Sequence, residues 1–384
     1  MITYSDVIEH LVTHLGGGAD DRIQAQVRLA VYDAYRRVTE HPKGWRYYIS
    51  KSRVNLNGEY STGTIAYTAS TRTFTLTDGT FPSWTVNGEI RIGTRGYKVA
   101  TNPTSTTLTI DSTNAPTANI AAGTEYSLVQ TAYPLPLTFA DVYVVEGDDN
   151  WPTSYIPPSH WYEVDRTSQS LGNPIYWSVI GDSNTNSYGR KSLVVYPAPT
   201  TDAPHEFLMK RRPRALRYSG QSAAEFTGTV SISGTTVTGS GTSFSSRMVG
   251  SILRVTDSTT AVPTALGGLE PYTEEFVITA YTSATSITIS STPVGTYSGV
   301  KFRVSDPLDI DDCMESAIRA GAIYEIAKTR NETDAAMQRS RQVYLEELNR
   351  AWEIDVLRGI DRAGIPFFGN ESSAGYYTTN FVTE

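Results

Sequence analysis

An internal repeat constrains this chain more than any other feature. Residues 63–113 contain Gly63-Thr64-Ile65, Thr73-Phe74-Thr75-Leu76, Gly88-Glu89-Ile90-Arg91-Ile92, Tyr97-Lys98-Val99-Ala100 and Thr106-Thr107-Leu108-Thr109-Ile110. Residues 228–292 restate the scheme as Gly228-Thr229-Val230, Thr236-Val237-Thr238, Gly250-Ser251-Ile252-Leu253-Arg254-Val255, Phe276-Val277-Ile278-Thr279 and Ser286-Ile287-Thr288-Ile289. The ends correspond too, Asp111-Ser112-Thr113 against Ser290-Ser291-Thr292. Apolar and Thr-rich residues in short alternating runs predict strands. Two copies of about fifty residues are too few for a solenoid and the right size for two small β-sandwiches or barrels. The second copy carries an extra loop, Asp257 to Glu274, rich in Thr, Gly and Pro.

The flanks follow other periodicities. Val7, Ile8, Leu11, Val12 and Leu15 have helical spacing, and Gly16-Gly17-Gly18 ends that helix before Asp20 opens a second. In the second, Ile23, Val27, Val31, Ala34 and Val38 form one apolar stripe. The aromatic group Trp45, Tyr47 and Tyr48 that follows is expected to plug the core beneath the helix. Between the repeats, runs bounded by Pro at Val142–Val145, Pro174–Trp177, Ser192–Pro199 and Phe207–Pro213 predict short strands sharing one sheet. From Asp306 the pattern is helical: Ile310, Met314, Ala317, Gly321 and Tyr324 line a first helix. Asn331 and Asp334 offer a cap for a second, with a Met337, Tyr344, Leu348 and Ala351 stripe, running to about Gly359. The pair is expected to pack antiparallel.

The charge balance is acidic, −8 over 384 residues, which argues against a surface devoted to nucleic acid. The single cysteine, Cys313, excludes an intramolecular disulfide framework and is expected to be a buried structural thiol. No segment approaches the roughly 18 apolar residues of a membrane span, and the N-terminus lacks the pattern of a secretory signal, so the expectation is synthesis in the cytoplasm and no membrane partner.

Catalytic signatures are sparse. Glu146, Asp148 and Asp149 can in principle do acid–base work, but Gly147 and Asn150 beside them read as a solvated turn. His10 and His14 share a helix face at i,i+4 without the His-Glu-x-x-His order of a zinc protease, and read as surface histidines at a subunit contact. Neither a Walker A lysine motif, a Rossmann glycine pattern nor a Gly-x-Ser-x-Gly elbow occurs. The expectation is a non-enzymatic protein without cofactor or metal. The strongest charged feature is the run Lys210, Arg211, Arg212, Arg214 and Arg217, a candidate contact to a neighbouring subunit or to DNA phosphates in a channel.

Tyr133-Pro134-Leu135-Pro136, the run Leu193 to Pro199, the strand end Lys210-Arg211-Arg212-Pro213 and the helix from Asp311 through Ala322, Tyr324 and Lys328 together resemble the head-to-tail adaptor, or connector, proteins of tailed bacteriophages. The resemblance covers residues 1–50, 130–217 and 306–360. It implies an α+β fold with a helical portal-docking part drawn from both termini and a central β-sheet unit, into which the two small β-sandwich or barrel modules are inserted. The expected domains are 1–50, 51–129, 130–227, 228–305, 306–360 and a docking segment and tail at 361–384.

What the resemblance implies about partners is a homo-oligomeric, dodecameric ring beneath the portal protein. It would meet a tail or nozzle protein below and enclose DNA in the channel, in the neck or tail of the virion. Ile365, Pro366, Phe367 and Phe368 are the expected portal-docking residues, and Tyr376, Tyr377 and Phe381 the expected tail anchors. Two further readings are a lower neck or tail-tube protein of the same particle, and a carbohydrate-binding tail-fibre β protein.

Overall fold

The computed structural model describes residues 1–384 except 16–20, 43, 114, 145–153, 166–169, 182–189, 217–222, 265–270, 331–332 and 362–384. Among the described residues, five α-helices and four sheets make it α+β. In chain order, α1 is Tyr4–His14 and α2 Asp21–Thr39. The strands β1 Ile49–Leu56, β2 Thr64–Thr68, β3 Thr73–Thr77, β4 Glu89–Ile92, β5 Arg95–Thr104, β6 Thr107–Ile110, β7 Ile120–Thr124 and β8 Ser127–Val129 follow. Then come β9 Ala132–Pro134, β10 Phe139–Val144, β11 Ser154–Tyr155, α3 Pro158–Asp165, β12 Tyr176–Gly181, β13 Lys191–Tyr196 and β14 Ala203–Arg211. The rest is β15 Thr229–Ser233, β16 Thr236–Ser240, β17 Ile252–Val255, β18 Glu274–Ser283, β19 Ser286–Ile289, β20 Phe302–Ser305, α4 Glu315–Thr329 and α5 Asp334–Asp361. The chain divides into two compact units, one of residues Tyr48–Arg212, the other of Met1–Tyr47 with Pro213–Glu384.

The Tyr48–Arg212 unit holds the first β module and the central strands. Those strands form two sheets rather than the expected one, β1-β14-β10 and β11-β12-β13-β9. The reason lies in the chain between β13 and β14: Pro197 and Pro199 have no N–H to continue a ladder, so β14 leaves β13 and pairs instead with β1, from Ile49↔Lys210 to Leu56↔Ala203. Leu56, Phe139, Phe207 and Met209 from one sheet and Tyr133, Trp177, Leu193 and Val195 from the other share one buried core. β1, expected within a β module at 51–129, thus belongs to the central part.

The two modules have the same strand order. Module 1 reads β7-β2-β3-β6-β5-β4-β8, and module 2 reads β15-β16-β19-β18-β17-β20. Where β7 pairs with β2, Val300 bridges Val230 in module 2. Closure matches as well, since Tyr60 bridges Leu128 in one and Glu225 bridges Val304 in the other, bringing the sheet edges together as in a barrel. Register shifts fall at corresponding places, Val99/Thr101 in β5 and Ile278/Ala280 in β18. The core pairs agree position by position: Ile90 stands for Leu253, Val99 for Ile278, Leu108 for Ile287 and Leu128 for Val304, all buried. Phe81 meets Tyr126 at 6.2 Å where Phe244 meets Phe302 at 5.6 Å. The repeat is therefore longer than 63–113 and 228–292, extending to Tyr60–Val129 and Glu225–Ser305.

In the other unit, α2 packs on α4, and α4 on α5. Val27, Val31, Ala34 and Val38 of the α2 stripe are buried, Ile23 only partly. Trp45 fills the space beneath α2, its Nε1 donating to the Val38 carbonyl at 2.6 Å. At Gly321 an added Cβ would lie 3.0 Å from the Tyr344 ring and 3.2 Å from Ala34, so the glycine lets three helices approach closely. Tyr324 and Tyr344 stack at 6.2 Å across the α4–α5 pair. The expected cap at Asn331 lies outside the described residues. Thr333 caps α5, its hydroxyl accepting from the Ala336 amide at 3.4 Å. Cys313 is half-buried rather than buried, because it sits on a short 3-10 turn, Asp312–Met314, where Met314 takes the core position.

Candidate functional site

Charge is concentrated where α1 meets module 2, and this cluster was not legible in the sequence. Strand alternation sends Leu253 and Val255 into the module core and Ile252 and Arg254 to the outer face, where α1 lies, so all four residues of β17 are buried. Arg254 Nη1 donates to both carboxylate oxygens of Asp6 at 2.7 and 2.8 Å, and its Nε to Glu275 at 3.2 Å. Its guanidinium also lies over the Tyr272 ring, 4.4 Å from the centroid. Asp6 is doubly used: it accepts from the Thr3 amide at 2.8 Å and so closes the first turn of α1. Burial disfavours the Arg254 cation, but the Asp6 and Glu275 carboxylates outweigh that and hold its pKa above the usual arginine value.

Around this centre, Arg303 pairs with Glu9, the Ser5 amide donates to Ser305 Oγ at 3.1 Å, and Ser251 Oγ donates to Asp306 at 2.8 Å. The Tyr4 amide donates to the Asp306 carbonyl at 2.8 Å and the Leu308 amide to the Ile2 carbonyl at 3.1 Å. The arrangement holds a helix N-terminus on a sheet. Asp6 and Arg254 are 248 residues apart, and neither carries a motif.

The basic run is split between the two units. Lys210 and Arg211 end β14, with the Arg211 guanidinium 5.0 Å from the Tyr48 ring centroid. The Arg212 amide donates to the Thr138 carbonyl at 2.6 Å, tying the strand end to its own sheet unit. Arg214 lies in the other unit, three-quarters buried, with Nη2 3.4 Å from Asp306 and its amide donating to Asp309 at 3.0 Å. Its carbonyl accepts from the Tyr35 hydroxyl at 2.7 Å. Arg214 is thus engaged inside its own unit, whereas Lys210, Arg211 and Arg212 stay at least partly exposed. Arg217 lies outside the described residues.

His10 and His14 are exposed on α1. Burial, with Arg319 and His14 adding to it, pushes the His10 imidazolium below the ordinary histidine range. No group of three or more His, Cys, Asp or Glu among the described residues is placed to hold a metal ion. No described helix is long and apolar enough to cross a membrane. Glu146, Asp148 and Asp149, the docking residues Ile365, Pro366, Phe367 and Phe368, and the anchors Tyr376, Tyr377 and Phe381 all lie outside the described residues. Compared with family models, curated proteins and solved structures, the chain matches none of them.

Proposed function

We propose that the chain is a structural head-to-tail adaptor of a tailed phage: one of many copies in a ring beneath the portal, joining capsid to tail and lining the DNA ejection channel. One observation carries the reading. The helical segments at the two ends of the chain, to which the resemblance gives the portal-docking role, pack on one another within one compact unit, α2 on α4 and α4 on α5. An element meant to seat against a ring of portal subunits needs such a compound helical surface. Arg339, Arg341, Arg350, Glu346 and Glu353 lie exposed along α5. Mixed charge of this kind selects partner and register more than it adds affinity. A ring of identical subunits requires two different complementary faces per copy. The partly exposed Lys210 and the exposed Arg212 are candidates for one of them or for DNA in the channel.

Cryo-electron microscopy of the purified chain, alone and mixed with portal protein, tests this. The expected result is a closed ring of identical copies seated on the portal. A persistent monomer with no affinity for portal would refute it, and a ring that joins only tail proteins would move the chain to the lower neck. Within the adaptor reading, replacing Phe367 and Phe368 by alanine is expected to leave the circular dichroism spectrum unchanged and to abolish joining. Normal joining by that variant would remove the docking role of this segment.

A further inference from the structure

The duplication supplies an internal control for one turn. Gly63 passes so close to the end of β3 that an added Cβ would meet the carbonyl oxygens of Thr77 and Asp78 at 2.2 and 2.9 Å. Gly228 passes the end of β16 in the same way, a Cβ there meeting the oxygens of Ser240 and Gly241 at 2.3 and 2.7 Å. Asp78 therefore stands where Gly241 stands. Both take the left-handed region, with φ 59° at Asp78 and 67° at Gly241. Module 2 fills the position with the residue that adopts it without strain. Module 1 fills it with aspartate and follows it with Gly79, where module 2 has Thr242.

An acidic or amide side chain before glycine carries chemistry of its own. The main-chain nitrogen of the glycine can attack the side-chain carbonyl carbon, and no Cβ stands in the way. The sequence holds three such pairs, Asn57-Gly58, Asp78-Gly79 and Asn87-Gly88. A hydrogen bond from the glycine amide ties up the nucleophile and fixes its peptide plane. The Gly58 amide donates to Asp202 at 2.7 Å, and the Asn57 side-chain amide to Gln130 at 2.6 Å. The Gly88 amide donates to the Thr85 carbonyl at 2.9 Å. At the third pair, the Gly79 amide donates no hydrogen bond among the described residues, and the exposed Asp78 carboxylate accepts none there. Here the fold leaves both reacting groups of one residue pair at liberty, in a backbone conformation that aspartate adopts only under strain.

We propose that Asp78 is a site of spontaneous main-chain modification, converting to isoaspartate through a succinimide closed with Gly79. The Gly79 nitrogen bonds to Asp78 Cγ, and the carboxyl hydroxyl leaves with the amide hydrogen as water. A water molecule then opens the ring. Attack at Cγ restores aspartate, and attack at the main-chain carbonyl leaves the chain running through Cβ and Cγ, with nothing oxidised or reduced and the mass unchanged. The added main-chain carbon falls where Gly63 approaches, so the product loosens the β2–β3 pair, whereas module 2 has no carboxyl at Gly241 to react. The proposal is independent of the adaptor reading. To test it, the full chain is aged in mildly acidic and mildly alkaline buffer, folded and in urea, and digested with trypsin. Peptide 73–91 then carries Asp78 and Asn87, and peptide 54–72 carries Asn57. Isoaspartate is read by enzymatic methylation of its carboxyl with a labelled methyl donor, and its position by fragmentation. Relative to the unfolded chain, folding is expected to slow Asn57 and Asn87 about tenfold, the worth of the hydrogen bond on each glycine amide, and to leave Asp78 within about threefold. Asp78→Gly, which installs the residue of module 2, is expected to stay folded and to lose the label at position 78. Slowing of Asp78 by folding as large as that of Asn57 and Asn87, or no isoaspartate at 78 in a folded chain whose unfolded form makes it, overturns the proposal.

Discussion

Module 1 and module 2 share an interior and differ in their exteriors. Inside, the same strand order, register shifts and buried pairs recur, because the half-barrel admits one set of inward positions and each must be filled by a residue that packs. Outside, β17 is buried on both faces under α1, while β4 buries Ile90 and leaves Glu89, Arg91 and Ile92 partly exposed. The insertion follows the same division. A two-residue turn joins β4 to β5, whereas Thr256–Thr273 separates β17 from β18 and delivers Tyr272 over the Arg254 guanidinium. The comparison teaches that a duplicated β module keeps its core and changes its use through the face and loops that the core does not constrain.

The sharpest way to break this comparison is to remove the matching arginines. Arg254→Met leaves the Asp6 carboxylate buried without its cation and is expected to cost about 3–5 kcal/mol. Arg91→Met removes a largely buried guanidinium whose Nη1 has no acceptor and whose partner Glu89 reaches solvent, and is expected to cost less, under about 1 kcal/mol. Urea denaturation of the two variants measures both. Equal costs would mean that the outer faces are not specialised. Replacing Asp6 by leucine together with Arg254→Met is expected to recover part of the loss, since an apolar pair leaves no buried charge.

The frame itself is probed by glycines. Gly63 has φ +80° and an added Cβ would lie 2.2 Å from the Thr77 carbonyl oxygen; Gly228 has φ +88° and a Cβ there would lie 2.3 Å from that of Ser240. Alanine at either position must take the left-handed region and push the partner strand away. Each variant is expected to lose about 1–3 kcal/mol, the two losses agreeing with one another. Hydrogen exchange should localise the opening to the module carrying the change. A loss confined to one of the two sites would show that the modules differ in frame as well as in surface.

How much of this was legible in the sequence follows from range. The strands of both modules and the α2 stripe show in local alternation, since Phe74, Leu76, Leu108 and Ile110 or Val27, Val31 and Val38 report their own burial. The closing strands β8 and β20 and the bridges from Tyr60 and Glu225 escaped the repeat, being short segments whose role comes from a partner rather than from a pattern. The single central sheet was a misreading because strand runs reveal no neighbours: β14 pairs with β1, far away in sequence. Arg254 was invisible for the same reason. Its signal, a charge set between Leu253 and Val255, looks like a solvated strand face until Asp6 is placed beside it. The basic run was legible as charge but not as two environments, since Arg214 is claimed by Asp306 and Asp309.

The smallest expected effect concerns acid. At the end of β6, Asp111 accepts from the Thr113 amide at 2.9 Å and from the Thr113 hydroxyl at 2.7 Å. The amide hydrogen bond, followed by the hydroxyl, holds its carboxyl below the ordinary aspartate value of 3.8. The matching position of module 2 is Ser290, whose amide donates to Val277 as that of Asp111 donates to Lys98, and whose hydroxyl, accepting from the Val277 amide, has no proton to gain in this range. A depressed folded pKa contributes stability that is present above the unfolded value and disappears as pH falls through the folded one. Acid below 3.8 should therefore loosen the 111–113 turn of module 1 and leave the 290–292 turn of module 2 untouched. Carboxyl carbon shifts should place the Asp111 midpoint below 3.8, with the Thr113 amide resonance moving in step and the Thr292 amide unmoved by that titration. Asp111→Asn should remove the Thr113 response. Because Asp111 is fully exposed, the change in global stability is expected to be slight, and the test is the position of the midpoint. A midpoint at or above the ordinary value, or a parallel response in the 290–292 turn, would mean that this edge of the two modules is not differentiated as the outer faces are.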